Sequence, residues 1–469
     1  MQGAKDMTKG SITKNLIAFA FPLFLSNLFQ QLYNTCDSLI VGNFLGTDSL
    51  AAVSSSGNLI FLFTSFFIGT ASGAGVVIAK YFGEKNYDKL SLAVHTNIAF
   101  GLIAGVVLTI IGVGLSPAIL SLMNIEPQVF PKSVAYFKYY FAGGLALVMY
   151  NVFNGILNAL GNSKRSLLYL LIASALNVAL DLLFIAVFKW GVWAAGFATA
   201  ISQFVSAICC FVYLLIIKTP YRVKIKKIKI DKDILNEIVK YGVPSGVTNS
   251  VIGFANVIVQ SNINTFGSIA MAGCGTYSKL EGFIFLPINS FVIALTTFVG
   301  QNLGAREYER ARRGAKFGLI CTIVMAETIG LVLYFTIPYL AGLFTGKNSP
   351  DRQRVIDLAV KETRTISFFY FMLALSHCIS AVLRGAGKAV VPMTIMLGVW
   401  CVLRVAYITV ALSIKHDIYL VFMAYPITWF ISSVIYIFYY KYADWEHGFD
   451  QEKTKKYKRA MKKYTAAKV

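Results

Sequence analysis

The chain has 469 residues, of which 57% are hydrophobic and only 14% are charged, and its mean hydropathy is +0.64. This composition excludes an ordinary water-soluble globular protein, whose surface carries more charge. The net charge of +21 would suit a nucleic-acid-binding protein, but basic residues also mark the cytoplasmic loops of membrane proteins. The composition therefore predicts an integral membrane protein, and we expect no nucleic-acid partner.

Apolar runs long enough for a helix to cross a bilayer recur along the whole chain. They do not alternate with period two, as the strands of a transmembrane barrel do, so the predicted fold class is all-α. Twelve membrane segments are predicted, at residues 15–41, 52–79, 93–114, 134–158, 167–188, 191–217, 237–264, 277–300, 315–341, 361–383, 391–413 and 418–441.

Most of the Lys and Arg residues fall on one side of these segments. If the N-terminus is cytoplasmic, the basic block YRVKIKKIKIDK at 221–232 and the basic tail EKTKKYKRAMKK at 452–463 share its side. The excess of positive charge therefore places both termini in the cytoplasm, and the two blocks are expected to touch anionic membrane lipids. The first segment is too long for a signal peptide and is predicted to be retained. We expect a multi-pass protein of the plasma membrane, the inner membrane in a cell that has two.

An internal duplication organises the chain. AKYFGEKNYDKL at 79–90 returns as GQNLGAREYERA at 300–311, and LNALGNSK at 157–164 is echoed by LRGAGKAV at 383–390. Each half has six crossings, so both halves enter the membrane in the same orientation, as in many secondary transporters. The predicted domains are an N-terminal six-helix lobe at 1–218, a basic linker at 219–232, a C-terminal six-helix lobe at 233–441 and a basic tail at 442–469.

Polar side chains collect in the outer half of the first lobe, where an ionisable group is costly unless it has a function or a partner. Asn177 and Asp181 are four residues apart and share one face of an otherwise apolar segment, and Asp37 lies near the outer end of the first segment. Two carboxylates in a low-dielectric site repel each other, so one proton or Na⁺ can neutralise the pair. The alternative is that both acids are hydrogen-bonded links between helices. The neutral polar residues of this region are Gln30, Tyr33, Asn34, Asn151, Asn154, Asn158 and Thr199.

The second lobe offers a weaker polar site. Glu281 lies near the outer end of the eighth segment, where it either has a function or meets lipid headgroups and Lys279. Glu327 and Arg404 fall at similar depth on two segments, and we expect a structural ion pair between them rather than a role in substrate binding.

Other chemistry has no support in the sequence. The four histidines have no metal-binding spacing, the seven cysteines form no CxxC pair, and no nucleotide-binding or nucleophile motif is present. We therefore expect no enzymatic activity, no metal site and no cofactor. The glycines of GTASGAG at 69–75 are predicted to pack helices closely.

Five motifs resemble those of a known family. They are Pro22, DSLIVGNFLG from Asp37, LEGFIFLPI from Leu280, GQNLGA from Gly300 and LRGAGK from Leu383. From Ile12 to Tyr442 the chain resembles bacterial members of the multidrug and toxic compound extrusion (MATE) family. The resemblance implies two six-helix bundles in a V shape that export cationic or lipophilic small molecules in exchange for H⁺ or Na⁺.

The resemblance also implies a cation site in the first lobe. Family members with such a site use residues that match Asp37, Asn154, Asn177, Asp181 and Thr199 here. Other members use a carboxylate in the seventh segment, and this sequence has none between Pro244 and Asn264. Coupling through the second lobe is therefore not expected.

The resulting hypothesis is that neutralising Asp37 and Asp181 changes the packing of the first segment, with Pro22 as its bending point. Gln30, Tyr33 and Asn151 are expected to support the site or the gating movement. We expect the chain to act as a monomer. The main alternative is a flippase for lipid-linked intermediates, and a passive channel or membrane-embedded enzyme is a third class that no motif favours.

Overall fold

The computed structural model describes residues 5–121, 125, 127–344 and 351–450. Within these ranges every regular element is helical, which confirms the predicted all-α class. The basic tail at 452–463 lies outside them. The α-helices of the first half of the chain are α1 (Ile12–Leu45), α2 (Thr47–Gly83), α3 (Tyr87–Gly114), α4 (Ser116–Ser121), α5 (Phe130–Ala142), α6 (Gly144–Ala159), α7 (Ser163–Asp181) and α8 (Trp193–Ile216).

The second half repeats this pattern of long apolar helices. Its elements are α9 (Lys232–Asn264), α10 (Ser268–Gly304), α11 (Tyr308–Phe344), α12 (Arg352–Ile366), α13 (Tyr370–Gly385), α14 (Val390–Ile395), α15 (Arg404–Ile414) and α16 (Ile418–Tyr442). A 3₁₀ turn at Ser367–Phe369 joins α12 to α13.

Eleven helical spans in the described residues are long and apolar enough to cross a membrane, and α5 with α6 makes a twelfth. These two helices meet at Gly143 with a bend of 49°. The sequence predicted one segment at 134–158 and did not predict this bend. A side chain at Gly143 would press on Ala200 of α8, so glycine lets the bent chain approach that helix. The chain is a multi-pass membrane protein.

The chain folds into two compact units. The first contains Phe21–Gly246 and the short stretch before Met7, and the second contains Met7–Ala20 and the chain from Val247 onward. The boundaries therefore differ from the predicted lobes at the start of each half. Helix α1 begins in the second unit and ends in the first, whereas α9 begins in the first unit and ends in the second.

A proline lies at the point where each of these helices leaves one unit for the other. Pro22 follows the boundary in α1 by one residue, and Pro244 precedes the boundary in α9 by two residues. Proline has no backbone N–H, and its ring crowds the carbonyl four residues earlier, so each helix is weakened there. Both crossings therefore coincide with a point where the helix bends more easily.

The first repeated motif has the same backbone geometry in both copies. Lys85 follows α2 with φ 56°, and Arg306 follows α10 with φ 60°. In each copy the next N–H donates to the carbonyl five residues earlier, from Asn86 to Tyr81 at 3.1 Å and from Glu307 to Asn302 at 2.8 Å. This is the Schellman arrangement that ends a helix, with a basic residue where glycine is usual. The sequence repeat is therefore a structural repeat.

Glycines set the close helix contacts in the first unit, as predicted for the segment 69–75. A side-chain carbon on Gly69 would lie 2.5 Å from the backbone oxygen of Ser245, and one on Gly73 would overlap the backbone of Tyr241. Gly242 and Gly246 of α9 face α2 in return. A side-chain carbon on Gly242 would lie 3.1 Å from the Thr70 carbonyl oxygen, and one on Gly246 would lie 2.6 Å from Thr70 Oγ1. Two GxxxG sequences thus pack against each other, which allows α2 and the start of α9 to touch along their backbones.

Two π-helices interrupt the corresponding segments of the two halves. One covers Leu182–Val187 directly after Asp181, and the other covers Met396–Leu403 directly before Arg404. Such wide turns are rare and occur frequently at functional sites. The sequence did not predict them, because the apolar pattern there is also that of a plain helix.

Candidate cation site

Two acidic side chains face each other in the first unit. Asp37, from the last third of α1, lies beside Asp181, the last residue of α7. The Asp37 side chain is partly exposed, with a buried Oδ1 atom, while Asp181 is 0% exposed. Two carboxylates carry no donor between them, so a single shared proton would supply the missing hydrogen bond.

The Asp181 carboxyl has no hydrogen-bond partner among the described residues. Both of its oxygens are buried and unpaired, as is Oδ1 of Asp37. A buried carboxylate without a partner costs several kcal/mol if it is ionised. The site is therefore suited to hold a proton or a monovalent cation that neutralises this charge.

Asn177 and Thr199 complete the inner side of this site. Asn177 is 1% exposed and lies one turn before Asp181 on α7, and its Nδ2 donates to Thr199 Oγ1 at 3.4 Å. Thr199, on α8, donates in turn to the backbone carbonyl of Ala195 at 3.0 Å. This bond turns the Asn177 Oδ1 atom away from Thr199, and Oδ1 has no partner among the described residues. A buried amide oxygen one turn before Asp181 is a group that could serve as a neutral ligand for a cation.

Three tyrosines surround Asp37. Tyr33, Tyr136 and Tyr140 are close enough to interact with it electrostatically, and Tyr136 also interacts with Asp181. Tyr136 and Tyr140 stand one turn apart on α5, with ring centroids 6.2 Å apart. Sequence reasoning found Tyr33 but missed the other two. They lie near the end of a membrane segment, where tyrosine usually marks the lipid headgroup region.

The other predicted first-unit residues make different contacts. Asn154 accepts from Asn158 Nδ2 at 3.2 Å, and Asn158 accepts from Ser166 at 3.1 Å. Asn151 donates to the Leu147 carbonyl of its own helix at 2.8 Å. The hydrogen bonds of Asn154 and Asn151 thus stay within α6, Asn158 links α6 to α7, and none of the three involves the two acids.

The two remaining predicted residues lie on α1. Gln30 hydrogen-bonds to Tyr33 one turn later. Pro22 is buried, and its carbonyl accepts from Ser26 Oγ at 2.9 Å. Gln30 therefore reaches the site through Tyr33, while Pro22 lies at the boundary between the two units.

The second unit contains a pair of neighbouring acids, Glu281 and Glu362, of which Glu362 is buried. Glu281 accepts from Tyr277 at 2.9 Å, and Tyr277 shares a 3.0 Å hydrogen bond with Tyr370. Glu362, only 2% exposed, interacts electrostatically with Glu281 and has an unpaired Oε2 atom. Sequence reasoning missed Glu362, because its neighbours in KETRT suggest the polar end of a segment.

The ion pair expected between Glu327 and Arg404 is absent from the described residues. Glu327 Oε2 instead accepts from the backbone N–H of Phe371 at 3.1 Å. Arg404, 1% exposed, donates to Thr428 Oγ1 at 3.2 Å and 2.8 Å. Its guanidinium also stacks over two rings, 5.0 Å from Trp400 and 4.7 Å from Tyr425. Glu327 and Arg404 were predicted to lie at similar depth in the membrane, but their side chains do not face each other.

Among the described residues, no three His, Cys, Asp or Glu side chains converge as metal ligands. The first-unit site instead combines two carboxyl groups with an amide and a hydroxyl. A carboxyl group can take up a proton, and carboxylate, amide and hydroxyl oxygens are also possible ligands for a cation.

Known proteins resemble the chain along most of its length. It is 27% identical over 443 residues to the Bacillus subtilis protein named probable multidrug resistance protein YoeA, covering 93% of this chain and 95% of that protein. It is 24% identical to the Thermotoga maritima protein named probable multidrug resistance protein NorM, covering 85% and 86% of the two chains. A solved structure described as the outward-facing conformation of a MATE transporter of the MOP superfamily matches with a TM-score of 0.85 at 22% identity, covering 94% and 97%.

The family assignment rests on two long blocks of sequence. Residues 22–183 and 244–410 match the model of the MatE family. The first block begins at Pro22 and includes both acids of the candidate site, and the second begins at Pro244. Because the matched blocks together make up well over half of the chain, the chain belongs to the MatE family, the multidrug and toxic compound extrusion (MATE) transporters.

Proposed function

We propose that this protein is a secondary active multidrug efflux transporter that exchanges H⁺ or Na⁺ for cationic or lipophilic small molecules. The relatives named multidrug resistance proteins support the substrate class. The single observation that carries the coupling proposal is the buried Asp181 carboxyl, which faces Asp37 and has no hydrogen-bond partner among the described residues.

In this proposal Asp37 and Asp181 bind the coupling ion, with Asn177, oriented by Thr199, as a neutral ligand. Asn154 on α6 is a further polar group of the site, and Asn151 lies one turn before Asn154 on the same helix. Binding of the ion removes the repulsion between the two acids, which lie on α1 and α7, and so changes the preferred position of α1. Pro22 allows α1 to bend where it passes between the units. Gln30 and Tyr33 transmit the change along the helix.

Alternating access follows if the ion and the drug favour different conformations. A ligand shifts a conformational equilibrium only through its different affinities for the two states. Ion binding from outside would favour the state that releases drug, and ion release inside would restore the state that binds it. A relative has been solved in a conformation described as outward-facing, which supports a cycle of this kind.

The proposal includes the setting of the protein. We place it in the plasma membrane as a monomer, with both termini cytoplasmic, because the positively charged loops fall on the side of the N-terminus. The flippase alternative predicts flux of lipid-linked substrates instead. Arg384 and Arg404 are the two buried arginines among the described residues, fewer than we expect for a basic cavity that holds a pyrophosphate group.

Glu281 and Glu362 offer a second place for ion binding. Both are acids of the second unit, they interact with each other, and Glu362 retains an unpaired buried oxygen. This arrangement favours a protonatable pair in the second unit, although the seventh segment lacks a carboxylate. Glu327 and Arg404 have structural contacts, so we assign them no role in coupling.

Transport into proteoliposomes tests the coupling site. Purified protein is reconstituted, a pH or Na⁺ gradient is imposed separately, and movement of the fluorescent cation ethidium is measured. The variants are Asp37→Asn, Asp181→Asn and the second-unit variant Glu362→Gln. We expect each Asp variant to lose gradient-driven transport by about 100-fold, because a neutral amide cannot exchange the coupling ion.

The matched control is Asp48→Asn. Asp48 is an acid of the same unit in an exposed ion pair with Lys132 at 3.0 Å, and its variant should transport normally. Full transport by both Asp variants would refute the first-unit site, and loss in Glu362→Gln alone would move coupling to the second unit. Transport of lipid-linked substrates without any movement of ethidium would favour the flippase.

A further inference from the structure

The two helices that cross between the units are held near their starts by the same repeated motif. AKYFGEKNYDKL ends α2, and GQNLGAREYERA ends α10. When Gly83 is aligned with Gly304, Lys80 matches Gln301 and Tyr81 matches Asn302. The side chains at these aligned positions contact the start of α1 in the second unit and the start of α9 in the first unit.

In the second unit the motif holds the main chain just before α1. Gln301 Oε1 accepts from the Met7 N–H at 3.0 Å, and Asn302 Nδ2 donates to the Met7 carbonyl at 3.4 Å. Arg310 adds bonds to the carbonyls of Met7, Lys9 and Gly10 at 2.7–3.1 Å. Met7 is fully buried. The start of α1 is thus fixed through several backbone groups.

In the first unit the motif holds one side chain of α9. Lys80 Nζ lies 3.3 Å from both oxygens of Glu237, and the Tyr81 hydroxyl donates to Glu237 Oε1 at 3.0 Å. The Lys80 and Glu237 side chains are 13% and 31% exposed. One partly exposed carboxylate therefore receives both polar contacts that the motif makes with α9, while Thr96 of α3 holds the Asp231 N–H just before the helix at 3.2 Å.

The start of α1 is attached through backbone groups, whereas the start of α9 is attached to the motif through one side chain, and the two kinds of contact break with different ease. The bonds of Gln301 and Asn302 to the buried Met7 backbone do not break without leaving its N–H or carbonyl unpaired. The Lys80–Glu237 contact joins side chains only, and the Glu237 carboxylate is 31% exposed, so it can open without unpairing a backbone group. The α1 attachment is therefore suited to a permanent anchor, and the α9 attachment to a contact that opens and closes.

Because α9 is weakened at Pro244, its first turns can move differently depending on whether the contact of Lys80 and Tyr81 with Glu237 is made or broken. Any movement of α9 in the second unit reaches its first turns through a helix weakened at Pro244. While Glu237 is held, those turns stay on α2 and the movement is absorbed as a bend at Pro244. When Glu237 is released, the first turns can follow the movement.

We propose that Lys80, Tyr81 and Glu237 are positioning residues for transport, which hold the start of α9 on α2 in one conformation and release it in another. The inference rests on the proposed function for its role in transport. The attachment itself can be measured without transport. In this proposal the first repeated motif controls whether the start of α9 moves with the first unit or with the second, which is not a function of the ion-binding acids.

The test combines hydrogen exchange with kinetics, using the full chain in lipid nanodiscs and proteoliposomes. In Glu237→Gln we expect amide exchange in residues 232–241 to rise about tenfold. We expect ethidium turnover to fall about fivefold while KM stays within about twofold, because the acids that bind the ion are unchanged. The charge-swapped double variant Lys80→Glu/Glu237→Lys should restore both quantities.

The control is Glu446→Gln, which removes the ion pair between Arg312 and Glu446 at 2.6 Å without touching a crossing helix. It should leave exchange in 232–241 and turnover unchanged. Wild-type exchange and turnover in Glu237→Gln, or no rescue by the charge swap, would overturn the proposal. Raised exchange with unchanged turnover would overturn the role in transport. A wild-type protein that moves no ethidium refutes the proposed function, and the exchange result then decides the attachment alone.

Discussion

The amide nitrogen of Asn177 lies 3.4 Å from the hydroxyl of Thr199, and that hydroxyl donates to the Ala195 carbonyl at 3.0 Å. The chain of two hydrogen bonds fixes the orientation of the Asn177 side chain from outside its own helix. The amide oxygen that remains is buried, next to the turn that carries Asp181.

Removing the Thr199 hydroxyl should weaken ion binding. In Thr199→Val the Asn177 amide loses its acceptor and its fixed orientation, so we expect the apparent affinity for the coupling ion to fall about tenfold. The measurement is the dependence of ethidium transport on H⁺ or Na⁺ concentration. Ser202→Ala is the control, because Ser202 of the same helix donates to the Ala198 carbonyl of its own turn at 2.8 Å. Equal affinities in the two variants would contradict the role of Thr199.

Asp181→Asn should make the protein more stable while it abolishes coupling. The variant removes a charge from a fully buried site in which neither carboxyl oxygen has a partner among the described residues. We expect the free energy of unfolding to rise by about 1–2 kcal/mol. Thermal unfolding in detergent measures this change, with the exposed Asp48→Asn as the comparison. A loss of stability in Asp181→Asn would mean that the carboxylate makes structural bonds.

The energetic partner of Arg404 should be Thr428 rather than Glu327. Arg404 donates twice to Thr428 Oγ1, whereas Glu327 accepts from the Phe371 backbone. We test this with two double-mutant cycles that use Arg404→Met, Thr428→Val and Glu327→Gln. The coupling energy should be about 1–3 kcal/mol between Arg404 and Thr428 and below about 0.5 kcal/mol between Arg404 and Glu327. A large coupling between Arg404 and Glu327 would restore the ion pair expected from the sequence.

A methyl group between α2 and α9 should destabilise the first unit. In Gly73→Ala the added carbon meets the backbone of Tyr241, so the helices must separate, at a cost of about 1–3 kcal/mol. Gly57→Ala, in the same helix, meets no described atom within 4 Å and should stabilise the helix by up to about 1 kcal/mol. Thermal unfolding of both variants checks the contrast, and equal effects would show that the two GxxxG sequences do not pack closely.

The apolar runs predicted the helices well, because a membrane segment must be continuously apolar and must satisfy its own backbone hydrogen bonds. The same constraint made Asp37 and Asp181 conspicuous. Their i and i+4 relation to other polar groups on each helix can be read from the sequence. Their placement beside each other depends on how α1 packs against α7, which no local pattern contains.

The errors have a common physical cause. The bend at Gly143 and the separation of Glu327 from Arg404 both depend on contacts between helices. Glu362 was missed because a charge near the end of a segment looks exposed until its neighbours are known. A hydropathy pattern gives the depth of a residue in the membrane, but the rotation of its helix decides what it faces.

The membrane class, the number and order of the segments, the duplication and the positions of the acids within the segments can all be read from the amino-acid sequence, because burial in lipid penalises every unmatched polar group. The unit that holds the start of each crossing helix depends instead on packing in the folded chain. Glycine contacts bring α2 and α9 within backbone distance, and Lys80 and Glu237 meet across 157 residues of chain. Such contacts form between segments far apart in sequence, so their geometry exists only in the folded protein.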